Sequence, residues 1–295
     1  HESPAHTDLG LARYGVDYVF PDPKMAIVRK DGYFLYHQER EKTYKSIKRI
    51  SETDAATYRE VSEKWHRWYV DFILPELYSA PKPKAEWEAE ILARPGGAEY
   101  LDAVTNYSPL EYAEMLFETE YCRLAVIRGA SSAEYEVDCK GMPALVFVTI
   151  LNWFNEKTAH VVGGVKQIPL ALKRIVEENG GTVFENTRVA KIVVEDNVAK
   201  GIALDDGSEI PAGRFVASAI DPVHTFLFML DEAHLPDDAA EKAANFKFKG
   251  TSLFRVHLAL KERPRFTMAM REPTIDDSWK FTIGFEAPGD FARIG

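Results

Sequence analysis

The order of signals between Val161 and Pro222 constrains this chain more than any other feature. Gly163 and Gly164 break the apolar run before them and can adopt backbone angles closed to other residues, so a turn or a close approach of backbone to ligand is expected there. An amphipathic helix follows. Val165, Ile168, Leu172, Ile175 and Val176 recur at spacings of three and four and share one face, while Lys166, Lys173, Arg174, Glu177 and Glu178 occupy the other. Asn179-Gly180-Gly181 ends it, as expected where a helix needs a left-handed terminal residue. Thr182 to Phe184, Val189 to Val194 and Val198 to Leu204 read as strands, with a turn at Glu195-Asp196-Asn197. Asp206-Gly207 signals a hairpin, since both residues tolerate positive φ, and Ile210 starts the return strand. Phe215 to Ala219 is a small-apolar run that fits a strand buried on both faces, and Asp221-Pro222 stops it.

Upstream the pattern is mixed. Val16 to Phe20, Met25 to Arg29 and Tyr33 to His37 look extended, and Lys30-Asp31-Gly32 is the turn that makes the last two a hairpin. From Glu39 onward the character is helical. Ser51 with Asp54 makes an N-cap ahead of a periodic run through Tyr58, Val61, Trp65, Trp68 and Phe72, and Ser108-Pro109-Leu110-Glu111 is the best helix start in the chain. Met142 to Phe154 is too short to span a membrane and reads as a buried helix, with Leu145, Phe147, Val148, Leu151, Trp153 and Phe154 as ordinary core. Downstream, Thr251 to Leu260 and Lys280 to Phe285 resemble strands, with Val256, Leu258 and Leu260 on one face and Arg255 and His257 on the other.

Composition narrows the partners. A net charge of −10 argues against nucleic acid, whose phosphates select basic surfaces. Two cysteines, Cys122 and Cys139, are too few and too far apart for a zinc motif or a disulfide framework, so no metal is expected, and a reducing compartment, cytoplasm or mitochondrial matrix, is the expectation. The 295 residues, 46% hydrophobic and 28% charged, suffice for one large domain or two smaller ones. Peripheral contact with a membrane stays open, as does the oligomeric state. No Gly-x-Ser-x-Gly elbow, His-Glu-x-x-His, P-loop or Cys-x-x-Cys occurs. Tyr121, His160 and His257 are conceivable acid–base groups, but none has a partner visible in sequence.

Gly163-Gly164 with Leu170-Ala171-Leu172, Gly180-Gly181, Val189-Ala190-Lys191-Ile192, Gly201 to Gly207 and Ala217-Ser218-Ala219-Ile220-Asp221-Pro222 together resemble the phytoene-desaturase-like flavin oxidoreductases of the amine oxidase superfamily. The chain is most similar to the group named pyridine nucleotide-disulphide oxidoreductase domain-containing protein 2, which also has a weaker counterpart of Asp8 to Gly15. The resemblance implies FAD as cofactor. It implies that the strand at Val189 passes the adenine, which the main-chain amide and carbonyl of Val189 hold. It further places the loop of Ala219 near the dinucleotide phosphates, and Gly163 and Gly164 on the substrate side of the flavin. The helices before Val161 would form a cap over an apolar small-molecule substrate, and the resemblance implies a tunnel wall of Leu145, Phe147, Val148, Leu151, Trp153 and Phe154 as the alternative to ordinary core.

One part of the family pattern is missing. No two glycines in the chain are separated by a single residue, so the Gly-x-Gly-x-x-Gly turn that cradles the FAD pyrophosphate does not occur. The expectation is a piece of a longer polypeptide, with a natural stand-alone homologue that has lost dinucleotide binding as the second account. The fold class expected is α/β (α+β): a mixed-sheet substrate domain with a helical cap at residues 1–160, an incomplete FAD-binding module of helix and β-meander at 161–222, and a return to the substrate sheet at 223–295. The expected function is a flavin-dependent dehydrogenase or desaturase fragment acting by hydride transfer. A non-catalytic scaffold that retains the fold and a flavin amine oxidase stay open as alternatives.

Overall fold

The computed structural model describes residues 4–132, 135–143, 147, 150, 158–235, 238–246, 254 and 256–292. The chain divides into two compact units, one of residues 1–169 with 250–295 and one of residues 170–249.

In the first unit a short helix, α1 (Pro4–Asp8), precedes β1 (Tyr18–Val19), β2 (Met25–Val28) and β3 (Tyr33–Tyr36). β2 and β3 form the expected hairpin, with Met25 opposite Tyr36 and Val28 opposite Tyr33, closed by the Arg29 amide on the Gly32 carbonyl at 2.9 Å. A third strand, β8 (Phe281–Thr282), lies parallel to β2, with Ala26 opposite Phe281. Period-two alternation divides this sheet cleanly: Met25, Ile27, Phe34 and Tyr36 enter the large core, and Ala26 and Leu35 pack on the other face with Ala269 and Ile275. β1 pairs with β4 (His160–Val161) in a separate antiparallel ribbon.

The helices α2 (Arg40–Lys48), α3 (Glu52–Trp68), α4 (Lys84–Leu92), α5 (Gly97–Asn106), α6 (Pro109–Leu116) and α7 (Glu120–Ser131) cover that core. Their starts follow the capping signals. Ser51 accepts the amide of Asp54, and Ser108 and Glu111 form a reciprocal capping box with Pro109 at the first turn. After Trp68 the helix widens into a π-turn, Tyr69–Ile73, which carries Phe72 onto the ring of Tyr100, the two centroids 5.0 Å apart. Trp65, Trp68, Tyr112 and Phe147 complete the aromatic cluster, and the Trp65 indole donates to the Tyr112 hydroxyl at 3.0 Å. Phe147 and Ile150 are helical and buried; Leu145, Val148, Leu151, Trp153 and Phe154 lie outside the described residues.

Asp54 ties two helix starts together. Its carboxylate is fully buried and accepts the amides of Glu118 (2.8 Å) and Thr119 (3.0 Å) as well as the Thr119 hydroxyl, so an α3 side chain satisfies the donors that open α7.

The second unit contains most of α8 (Gln167–Glu178), whose Ala171 is buried while Leu170, Leu172 and Val176 are exposed. Beyond it β5 (Val189–Glu195), β6 (Val198–Leu204) and β7 (Glu209–Pro211) form an antiparallel meander. The β5–β6 turn uses positive φ at both Asp196 (50°) and Asn197 (58°). In the β6–β7 turn only Gly207 does, where the sequence suggested both Asp206 and Gly207. A π-turn at His224–Phe228 and a short helix, α9 (Ala239–Ala244), complete the unit.

Three expected strands are not strands. Thr182–Phe184, Phe215–Ala219 and residues 256–260 are unpaired, and Phe215 is 74% exposed, Val256 62% and Leu258 74%. Propensity alone does not hold a strand; a ladder needs a neighbour, and among the described residues none lies beside these runs. Thr251 and Arg255 lie outside the described residues. Among the described residues no helix is long and apolar enough to cross a membrane.

Replacing Asp54 with Ala leaves three donors without their buried acceptor and is expected to cost about 3 kcal/mol in urea unfolding, with Asp54→Asn losing less because one acceptor oxygen remains. An unchanged midpoint in Asp54→Ala would remove Asp54 from its place between α3 and α7.

Candidate functional site

The geometry of the second unit is set by hydrogen-bond parity in β6. At the hairpin the Leu204 amide donates to the Ser208 carbonyl at 2.8 Å, so Leu204 turns its polar groups toward β7. Val189 faces Leu204 from the other side, which makes them a non-hydrogen-bonded pair and directs the N–H and C=O of Val189 away from β6. Ile192, opposite Ile202, obeys the same parity: its amide points outward and donates to the Met229 carbonyl at 2.8 Å. The two residues are three apart, and the bulge between Val189 and Lys191 keeps them in phase.

This edge borders a cleft of about 510 Å³ lined by apolar groups, among them Val189, Ile192, Ile210, Phe215, Ala219 and Met229. Gly201 also borders it, and a Cβ there would lie 2.4 Å from the Ile210 carbonyl oxygen, so β7 approaches β6 this closely only because the residue is glycine. Just beyond the lining residue Ile220, the His224 amide, 2.9 Å from Asp221, holds that carboxyl below the usual range. An N–H beside a C=O on an open strand edge, within apolar walls, can hold a flat heteroaromatic ring that carries an acceptor next to a donor.

Of the four residues expected at a cofactor, Val189 and Ala219 line this one cleft. Gly163 and Gly164 belong to the first unit, in the turn between β4 and α8, with φ of 74° and 92° and the Gly164 amide on the Val161 carbonyl at 3.0 Å. That turn requires glycine.

The acid–base candidates fall out differently. Tyr121 donates to Asp31 at 2.7 Å beneath the Arg29 guanidinium; burial, then the Asp31 hydrogen bond, push its hydroxyl up, so it keeps its proton at neutral pH. His160 stacks on Trp279 with centroids 4.0 Å apart, and burial, then the Lys280 charge, lower its pKa. His257 stands in the exposed stretch of residues 256–260. Lys280 itself is lowered to about 8 by burial and then by Arg128. Sequence reasoning missed Lys280 and the Met229 carbonyl; the latter acts through its main chain and leaves no side-chain signal. Among the described residues no group of His, Cys, Asp or Glu could hold a metal ion.

A family model described as Flavin containing amine oxidoreductase matches residues 7–290. The chain belongs to that family. A limonene dehydrogenase subunit of Castellaniella defragrans is 27% identical over 99% of the chain and 54% of its own length. A neurosporene-forming phytoene desaturase of Cereibacter sphaeroides is 37% identical over 24% of the chain and 14% of its own length. A putrescine oxidase variant shares the fold, with a TM-score of 0.50 over 82% of the chain and 50% of that structure at 15% identity. The chain thus spans about half the length of the limonene dehydrogenase subunit. It is a phytoene-desaturase-like oxidoreductase chain of the amine oxidase superfamily with a mixed α/β fold, and FAD is the cofactor of this family. The cleft suits the ring end of such a dinucleotide. For its pyrophosphate, the sequence has no glycine pair with the one-residue spacing of the usual amide cradle.

Lys280 supplies a pH test of the first unit. Its proton leaves the folded chain near pH 8 but the unfolded chain only near 10.5, so unfolding takes up a proton between these values and stability contributed by this group rises with pH across that window. Urea midpoints measured from pH 7 to 10 are expected to climb in the parent relative to Lys280→Met; parallel pH profiles would show that Lys280 titrates ordinarily.

Proposed function

We propose that the cleft of the second unit receives the adenine of FAD, with the Val189 amide and carbonyl as its hydrogen-bonding contacts. The observation that carries this reading is the outward donor–acceptor pair of Val189 on the edge of a 510 Å³ apolar cleft. Adenine offers a ring-nitrogen acceptor beside an exocyclic amino donor, the complement of the N–H and C=O of one extended residue. The apolar residues around it would cover the faces of the base, where burial of flat aromatic area is favourable. In this reading Ala219 stands near the dinucleotide phosphates.

The activity proposed for the whole protein is hydride removal from a C–C or C–N bond of an apolar or amphipathic small molecule to FAD, with the electrons passed to a further acceptor. When bound, the flavin supplies the hydride-accepting chemistry. This chain's residues bind and orient the cofactor and shield it from water. The names of the related limonene dehydrogenase subunit and phytoene desaturase support an apolar substrate.

Titration of the chain with AMP, ADP and FAD tests the site. Val189→Pro removes the outward amide while leaving the ladder to β6 intact, because that amide takes no part in it, and an edge position tolerates proline. Affinity for all three nucleotides is expected to fall about tenfold in Val189→Pro and to change less than about twofold in Val189→Ala, which keeps both main-chain groups. Equal affinity of Val189→Pro and the parent, or no nucleotide binding by the parent, would reject the adenine assignment.

A further inference from the structure

Asp221 directly follows Ile220, the last residue of one wall of the cleft, and its hydrogen bonds lead toward β5. One carboxylate oxygen accepts the His224 amide at 2.9 Å, the other meets His224 Nδ1 at 2.6 Å, and its carbonyl accepts the Thr225 amide at 3.0 Å. Pro222 follows, so Asp221 is an N-cap with proline at the first helical position. The helix it starts is not a regular one. The His224 carbonyl accepts the Met229 amide, five residues on, at 3.1 Å, closing a π-turn.

An α-turn would close one residue earlier and rotate Met229 by about 100° relative to its observed direction. The added residue is what aims the Met229 carbonyl at the Ile192 amide. The turn is also fastened to the opposite wall: Thr225 is buried and its hydroxyl meets that of Ser218, a cleft residue, at 2.7 Å. One capped turn therefore joins the Ala217–Ile220 wall to the β5 edge.

We infer that Asp221 is a positioning residue for the cleft: through the π-turn it fixes the Met229 carbonyl on the Ile192 amide, which occupies the β5 edge there and leaves Val189 as the open donor–acceptor pair. The ligand side of this inference rests on the adenine reading; the placement of Met229 does not. The two are separated by reading amide exchange and nucleotide affinity in the same 295-residue chain.

Hydrogen exchange followed by mass spectrometry on the peptide covering β5, together with AMP titration, is measured for the parent, Asp221→Ala, Asp221→Asn and Thr225→Val. In Asp221→Ala the Ile192 amide is expected to exchange about tenfold faster and AMP to bind about fivefold more weakly. Asp221→Asn retains an oxygen that accepts the His224 amide and is expected to restore most of both. Thr225→Val is expected to weaken AMP binding through the Ser218 wall with a smaller change at Ile192. Unchanged exchange at Ile192 in Asp221→Ala overturns the inference. So does faster exchange throughout β5, β6 and β7, which marks general loss of order, and so does faster exchange at Ile192 with unaltered AMP affinity. If the parent binds no AMP, the adenine reading fails, and exchange at Ile192 alone decides whether Asp221 places Met229.

Discussion

The amide of Leu204 commits to Ser208, and the rest of the cleft follows from that choice. Antiparallel pairing allows each residue to face only one neighbour, so a residue bonded toward β7 cannot also bond toward β5. Val189 inherits an outward amide and carbonyl, Ile192 inherits an outward amide, and the bulge at Ala190 and Lys191 prevents the phase from slipping between them. A recognition edge is built here without a single dedicated side chain. This explains how a valine, which in isolation is a core residue, can stand at the centre of a polar contact.

Local rules were legible in the sequence wherever the chain answers them locally. The caps at Ser51 and Ser108, the hairpin of Met25–Val28 with Tyr33–Tyr36 and the meander from Val189 to Pro211 depend on neighbours a few residues away, and all of them form. Thr182–Phe184, Phe215–Ala219 and residues 256–260 carry strand composition but depend on a partner distant in sequence, and none lies beside them among the described residues. Propensity scored the residues correctly and could not supply the ladder. At the candidate site, Val189 and Ala219 were named through family likeness, whereas the Met229 carbonyl and the role of Asp221 emerge only from tracing main-chain bonds. The π-turn that links them has no simple sequence signature, because it differs from an α-turn by one hydrogen bond.

The first unit is organised differently. Its aromatic cluster of Trp65, Trp68, Phe72, Tyr100, Tyr112 and Phe147 supplies apolar burial, but that burial is non-directional and would tolerate several helix arrangements. Direction comes from the polar groups buried among them. Asp54 has three donors and one place where they converge, so it fixes the start of α7 against α3, and the Trp65–Tyr112 hydrogen bond fixes one indole within the cluster. Tyr121, at the second position of α7, then reaches the β2–β3 turn through Asp31, so the polar contacts run from helix start to sheet.

The outward edge of β5 has a consequence unrelated to nucleotides. A row of unsatisfied main-chain groups is a template on which another chain's strand can pair, and proteins that keep such edges must blunt them. β5 does so at its bulge, where Lys191 extends to Asp231 at 2.7 Å and interrupts the flat run of Val189, Ile192, Val193 and Val194. A strand of another molecule approaching this edge would meet a twisted backbone and a fixed charge before it could zip. An ion-paired lysine at a bulge is the kind of interruption that disfavours strand addition along an open edge.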